Sequence, residues 1–553
     1  MSMEPNQERS FFGISQLSLR SIILGILGSC IITASSMYVA LRMSALPWPT
    51  IFVAVLSMAL LKALGKTTHN EINVTQTAMS AGAMVAGGLA FTLPGLWITG
   101  TWEGKAFTIA HFWQVLAIAL AGVLLGTIFT WFLRRRFVEK EALPYPIGKA
   151  AADTIVVGDA GGKKSAVLFG TMGFAAIFTY LRDGLHWIPA AISSKWLYAK
   201  DFYLGIWLSP MAVGIGYIIG TLYTGVWFVG AVLSYLIIIP LGTQFKLFPT
   251  VQAAVEYKNT IGIGLMVGTG LGILIAYLMT HMRKSFTKNK PQAGRASNET
   301  KPFRGKERNW TLLALAISFV LTIVGGIGTI PSLLLMLGVV VTSAMAAMIT
   351  GETGINPMEI FGIIILLAIR VIIPINAASA FFIAAAVAVT CGYAGDLLND
   401  YKAGHILGTN PVAQLILHVI GGIVGAVIAT FAMFAIVGQY GGVGIDKGLP
   451  AGQAFMVSQM VKGIGDPAVF GVAAMVGALL YLFKVPVMTL GIGIYLPFEI
   501  SAPMFIGGLF RWITDRFNPK SVENGNIAAS GMFGGEGITG VGSALLKMFT
   551  GGL

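Results

Sequence analysis

The stretch "SAFFIAAAVAVTCGYAGDLLNDYKAGHILGTNPVAQLILHVIGGIVGAVIATFAMFAIVG", residues 379–438, decides the fold. Its two flanks are continuous apolar runs of about 20 residues, the length that crosses a hydrocarbon core of about 30 Å. Between them Asp396, Asp400, Lys402 and His405 crowd into ten positions. A membrane-spanning barrel shows short alternating segments, so these unbroken runs predict helices. The polar stretch then predicts a turn joining two crossings, with Lys402 or His405 folding back to supply a cation. Asp396 and Asp400, spaced i,i+4, repel unless a positive charge lies between them. Two roles follow: a salt-bridged turn, or an inner gate or ion-coupling site.

The same composition extends along the chain. Of 553 residues, 56% are hydrophobic and 11% charged, where a soluble domain is about a quarter charged. The expected fold class is an all-α polytopic membrane protein. The first apolar run, 21–41, lacks a small-residue cleavage signature and leads directly into further membrane segments, so no removable signal peptide is expected. Both cysteines, Cys30 and Cys391, lie in apolar runs, which argues against a disulfide framework or a thiolate metal site. The 70 glycines and 22 prolines predict close helix packing and interrupted or re-entrant helices.

Charge gives orientation. The net charge is +13, and residues 282–308 alone hold nine Lys/Arg against two Glu, a net of +7. By the positive-inside rule this linker is cytoplasmic. Arg134, Arg135, Arg136 and Lys140 mark a second inner loop, and Lys62 with Lys66 a third. Segments 21–41, 47–64, 73–99 and 111–133 are then four crossings with the N-terminus inside. No folded basic domain accompanies the linker, so nucleic acid is not an expected partner.

Two regions echo each other across that linker. Residues 214–233 align without gaps on 491–510 at an offset of 277, and 264–270 match the glycine spacing of 531–537 at an offset of 267. "ALPYPIGKAAADTIVVG" (142–158) pairs with "GLPAGQAFMVSQMVKG" (448–463). The predicted organisation is a cytoplasmic N-terminus (1–19), a first repeat (20–281), a basic linker (282–310) and a second repeat (311–553). Matching loops exchange their positive charge, and an extra apolar segment at 311–330 reverses direction. Both favour inverted repeats, the design of many secondary transporters, with parallel duplication the alternative.

Several motifs together carry a resemblance. "NVTQTAMSAGAMVAGGLAF", "ALPYPIGKAAA", "AGDLLNDYKAGHILGTNP" and "VPVMTLGIGIYLPFEISAPMFIGGLFRW" resemble the oligopeptide transporter (OPT) superfamily. The likeness is to its prokaryotic branch, near the yellow stripe-like metal-chelate transporters, and runs from about residue 20 to 550. It implies about 16 membrane segments in two related halves. It also implies cation-coupled uptake of small peptides or metal–ligand complexes across the cytoplasmic membrane, usually with protons. One departure concerns the family's Asp-Leu-Lys-Thr-Gly pattern, here respaced as Asn399-Asp400-Tyr401-Lys402-Ala403-Gly404.

Ionisable groups in membrane segments are costly and begin as functional candidates. Lys149 and Asp153 lie one turn apart on a short helix after Pro144 and Pro146, either as a half-helix site or as a self-neutralising pair. Glu499 stands between Pro497 and Pro503, and its repeat counterpart is Leu222, so the fold does not demand an acid there. Prolines free carbonyls beside it, which suits a proton or cation. Glu536 sits among five glycines, with Thr269 its counterpart. Glu359 follows Pro357 as a helix start, and Arg370, eleven residues on, could receive a substrate carboxylate together with Asn376. Gln76, Tyr145, Tyr393 and Tyr495 could supply neutral contacts, although interfacial belts use most membrane tyrosines. The coupling or gating candidates are thus Asp153, Asp396, Asp400, Glu499 and Glu536.

The histidines show no metal-ligand spacing, so a transported metal would arrive with its own ligand. "GDAGGKKS" (158–165) lacks the phosphate-loop spacing, and no nucleophile-base set converges. Neither an enzyme nor a cofactor is expected. A proton-coupled symporter fits best, with a passive channel the alternative, although no ring of charge or filter repeat is visible. Self-association is left open.

Overall fold

The computed structural model describes residues 10–11, 14–44, 46, 50–102, 108–158, 163–198, 200–287, 305–353, 356–444, 446–462 and 466–549. Most of the basic linker, residues 288–304, lies outside these described residues, as does the start of the N-terminus. The chain opens with a hairpin of β1 (Ser10–Phe11) and β2 (Ile14–Ser15), then α1 (Leu19–Met43), α2 (Thr50–Ala63), α3 (His69–Ala90) and the short α4 (Gly95–Ile98). α5 (Ile109–Leu133) runs into a π-helical segment, Arg134–Lys140, before α6 (Pro146–Gly158) and α7 (Lys163–Thr179). A second hairpin, β3 (Ala191–Ser193) with β4 (Gly205–Trp207), encloses α8 (Lys195–Tyr198). α9 (Pro210–Ile219), α10 (Thr221–Val232), α11 (Ile239–Gln244) and α12 (Val251–Thr287) follow.

Beyond the linker come α13 (Gly305–Val324), α14 (Thr329–Thr353), α15 (Met358–Ile372), α16 (Ala377–Leu407) and α17 (Pro411–Tyr440). The chain ends with α18 (Gly452–Lys462), α19 (Pro467–Leu482), α20 (Val487–Tyr495), α21 (Phe498–Phe517) and α22 (Val522–Phe549). Seven described helices or helix pairs are long and apolar enough to cross a membrane, with four shorter apolar ones beside them. The protein is an all-α, multi-pass membrane protein.

Helix boundaries follow the local chemistry. Side-chain oxygens of Ser18, Thr68, Thr108, Ser209, Asn376, Asn410 and Asp466 accept backbone N–H groups at seven helix starts. Gly408 (φ 74°) and Gly441 (φ 72°) end α16 and α17 in the left-handed conformation that a side chain resists.

α3 and α16 are the central helices: 89% of the apolar window of each is buried by protein rather than left for lipid. This corrects the expected turn at residues 395–411. The helix runs on to Leu407, and the turn is confined to Gly408–Asn410. A helix surrounded by protein can carry polar residues wherever neighbouring side chains receive them, so loss of hydropathy there did not mean loss of helix.

Two helices are broken at matching places. α9 and α10 part at Gly220 (φ 90°), and α20 and α21 part at Leu496–Pro497. At the sequence offset of 277, Gly220 falls on Pro497. α9 packs on α21 and α10 on α20, so the two broken helices cross antiparallel. A methyl group on Gly216 would lie 1.9 Å from the Met504 carbonyl oxygen, and one on Gly493 1.9 Å from that of Trp227. Residues 216 and 493, and 227 and 504, differ by the same 277 positions, so the two contacts exchange with each other. Only glycine permits this backbone approach.

α6 and α18, 13 and 11 residues long, reach only about 20 Å at about 1.5 Å per residue, too short to cross. Each follows a residue held at positive φ, Tyr145 (43°) and Ala451 (42°). Their N–H groups donate to Gly351 O and Leu41 O, both at 2.9 Å.

Candidate functional site

The polar stretch of α16 is a buried junction. Asp396 Oδ2 accepts from Asn356 Nδ2 at 2.7 Å, and Asn356 also donates to Cys391 O at 2.9 Å. Asp400 Oδ1 accepts from Gln76 Nε2 of α3 at 3.0 Å. Between them, Asn399 Oδ1 accepts from the Gly148 N–H at the start of α6, again at 3.0 Å. One face of α16 thus ties together α3, α6 and the segment entering α15.

What this junction lacks is positive charge. Asp396 and Asp400 are 4% and 0% exposed, and neither meets a Lys, Arg or His among the described residues. Asp396 Oδ1, Asn356 Oδ1 and Gln76 Oε1 are buried acceptors without a donor, and beyond Gln76 it is the neutral Ser80 hydroxyl that reaches Asp400. Glu359, also buried, starts α15 nearby. Lys402 is half-buried, His405 is exposed, and neither folds back, which corrects that expectation. Buried carboxylates require either neutralisation or a cation. The geometry therefore suits a proton or a small cation that comes and goes.

A cavity of about 190 Å³ opens around the C-terminal end of α16, with neither acid in its lining. It is lined by Arg134, Glu139, Tyr401, His405, Thr409 and Gln414, among others. Gln414 Nε2 donates to the Asp400 carbonyl at 3.0 Å, so the cavity wall and the acid-bearing turn are in direct contact.

Glu536 is placed differently. It is fully buried, but its Oε1 accepts from Arg182 at 2.9 Å, and its Oε2 from the Ser209 hydroxyl and the Met211 N–H, each at 2.9 Å. Arg182 also binds Asp183 and Leu208 O, and it lies over the Trp207 ring, with Arg42 over the same ring at 4.5 Å. This carboxylate clamps α22 to the start of α9 and, unlike Asp396 and Asp400, has a guanidinium as its counter-charge.

Glu499 is half-buried in the first turn of α21, where the helix N-terminus favours a carboxylate. The other side of that break is held by Lys258 of α12, a residue that no local sequence signal singles out. In "VEYKNT" (255–260) it reads as an interfacial lysine, and nothing local points to residues 494 and 495.

The remaining candidates spend their polar atoms on backbone. Tyr145 Oη donates to Ala347 O at 2.8 Å, Tyr393 Oη to Ala81 O at 3.2 Å and Tyr495 Oη to Pro450 O at 3.3 Å. Asn376 caps α16, accepting from Ser379 N at 2.7 Å. Arg370 donates to Val461 O at 2.7 Å, holding the last carbonyls of α18. Lys149 and Asp153 share the exposed stripe of α6 and form no ion pair with each other. Only Gln76 joins Asp396 and Asp400.

Long apolar helices, crossed broken helices and buried acids without counter-charge define an integral membrane protein of the transporter class. The chain belongs to the OPT family: the family model described as "OPT oligopeptide transporter protein" matches residues 16–547. A curated relative from Haemophilus influenzae, described as "Putative oligopeptide transporter", is 26% identical over 590 aligned positions, covering 91% of each chain. The protein is a membrane transporter.

Proposed function

We propose that this protein carries small oligopeptides into the cell together with protons, and that Asp396 and Asp400 are the proton-binding groups. The observation that carries the reading is the pair of buried carboxylates, one turn apart on the central helix, held by neutral donors alone and with no cation. Such a pair is stable when protons are bound and repulsive when both are lost. Protonation therefore acts on the packing of α16 against α3 and α6, the helices it touches. The antiparallel crossing of the broken helices supports an inverted repeat, in which alternating access is a rocking of one repeat against the other. The loop charges support an orientation with the basic linker in the cytoplasm, and the bacterial relative supports the cytoplasmic membrane of a prokaryotic cell.

Peptides are preferred over metal chelates because the family and the relative are both described by peptide transport. The test is thermal stability of the purified protein with di- to tetrapeptides and, separately, with metal–chelator complexes. A ligand present at about 100 times its Kd adds about 2.7 kcal/mol, so a peptide substrate raises the melting temperature visibly. A shift with chelates alone reassigns the substrate, and no shift with either removes the peptide reading.

A further inference from the structure

Lys258 lies within the second turn of α12 and is fully buried. Its Nζ donates to Tyr235 Oη at 2.9 Å, Ile494 O at 2.9 Å and Tyr495 O at 2.7 Å. An ammonium has three protons, and all three are used. The two carbonyls are those left free by the break in α20–α21. In a continuous helix they would accept from the N–H groups of Phe498 and Glu499, which instead begin a new helix after Pro497. Ser234 Oγ adds a further donor to Ile494 O at 2.9 Å.

Among the described residues no acid pairs with this charge. The elements packed on α12 are α11, α19, α20 and the Leu233–Ile238 segment. Their titratable groups are Tyr235, Tyr481 and Tyr495, and the Glu256 next door on α12 is exposed. Glu499 is near enough for its charge to act on Tyr235, but it forms no ion pair with Lys258. Neutral oxygens on an unwound helix are the ligands that membrane transporters offer to a coupling cation. Here the protein's own ammonium occupies them. At the offset of 267 that relates 264–270 to 531–537, the counterpart of Lys258 is Gly525. The matching break in α9–α10 has no such clamp, and Tyr217 Oη beside Gly525 is left without a partner. The lysine is therefore not a requirement of the repeated fold.

We infer that Lys258 is a second proton-binding site, separate from Asp396 and Asp400, whose protonated form locks the α20–α21 break. Loss of the proton leaves an amine with two N–H donors and a lone pair, so Tyr235 Oη turns from acceptor to donor and the two ties to the break become neutral hydrogen bonds, weaker than the charge-assisted ones they replace. The weakened ties then hold the helix ends less firmly. Proton occupancy at Lys258 and the geometry of the break are linked, whether or not peptide transport uses that link.

The test is hydrogen exchange at residues 493–500 in the purified full chain, corrected for the intrinsic effect of pH. In the wild type, where burial without an acid makes the charged form costly, protection of this segment falls at least about tenfold as pH rises from about 6 to about 9, while that of α5 stays constant. Lys258→Arg, which keeps its charge, stays protected throughout, and Lys258→Met is unprotected at every pH. Protection independent of pH in the wild type, or an Arg variant that opens like the wild type, overturns the inference. These readings require no transport, so they stand or fall apart from the peptide-symport proposal.

Discussion

Asp400→Asn yields a folded protein that binds and exchanges peptide but no longer concentrates it on a pH gradient. Each coupled proton contributes about 1.4 kcal/mol per pH unit, which is tenfold accumulation. The variant should fall from about tenfold per proton and pH unit to about unity. Folding survives because the asparagine oxygen still accepts from Gln76 Nε2, the bond that Asp400 Oδ1 makes at 3.0 Å. Its new NH₂ takes the place of Oδ2 and can donate to the Ser80 hydroxyl, mimicking the protonated acid. Asp396→Asn should behave in the same way, since Asn356 still has an acceptor. Uptake into proteoliposomes with an imposed gradient, compared with counterflow at equal pH, separates the two activities. Retained gradient-driven accumulation in both variants would move the coupling group elsewhere, with Glu499 the next residue to test.

Arg182→Leu is expected to cost about 3–5 kcal/mol of stability, because removing one partner of a buried pair strands the other. Glu536 would keep the Ser209 hydroxyl and the Met211 N–H but lose its cation while remaining 0% exposed. Leu208 O and the Asp183 carboxylate would lose their donor together. Adding Glu536→Gln to the same chain should recover a large part of the loss, since the stranded charge is gone. The thermal midpoints of the single and double variants check this. Equal midpoints for Arg182→Leu and the wild type would mean that the clamp is solvated and contributes little.

Much of this architecture is legible in the sequence because breakers and periodic apolar runs are local signals. Gly220 and Pro497 align at an offset of 277, and both helix breaks fall there. Pro144, Pro146 and Gly158 bound the short α6 as their chemistry demands. The polar stretch at 395–411 resembles a turn in sequence because hydropathy reports the average neighbour of a helix. α16 has protein on nearly all sides, so Asn399 and Asp400 could stay helical and buried.

Side-chain roles were less legible, for a different reason. Glu536 and Asp400 look equally isolated in sequence, and only the fold brings Arg182 to the first and withholds a cation from the second. Arg370, Asn376 and three tyrosines attracted attention as polar groups in apolar runs, yet each serves a helix end or a backbone carbonyl. Lys258 had the opposite fate, being unremarkable in sequence and central to a helix break more than 200 residues away.

The most direct measurement is proton movement on addition of peptide to proteoliposomes that hold a pH-sensitive dye and have no initial gradient. The wild type should acidify the interior in step with peptide entry, and the Asp396→Asn, Asp400→Asn double variant should exchange peptide with no acidification. Peptide accumulation without proton entry in the wild type, or unchanged acidification in the double variant, would contradict the proposal that these two carboxylates couple transport to protons.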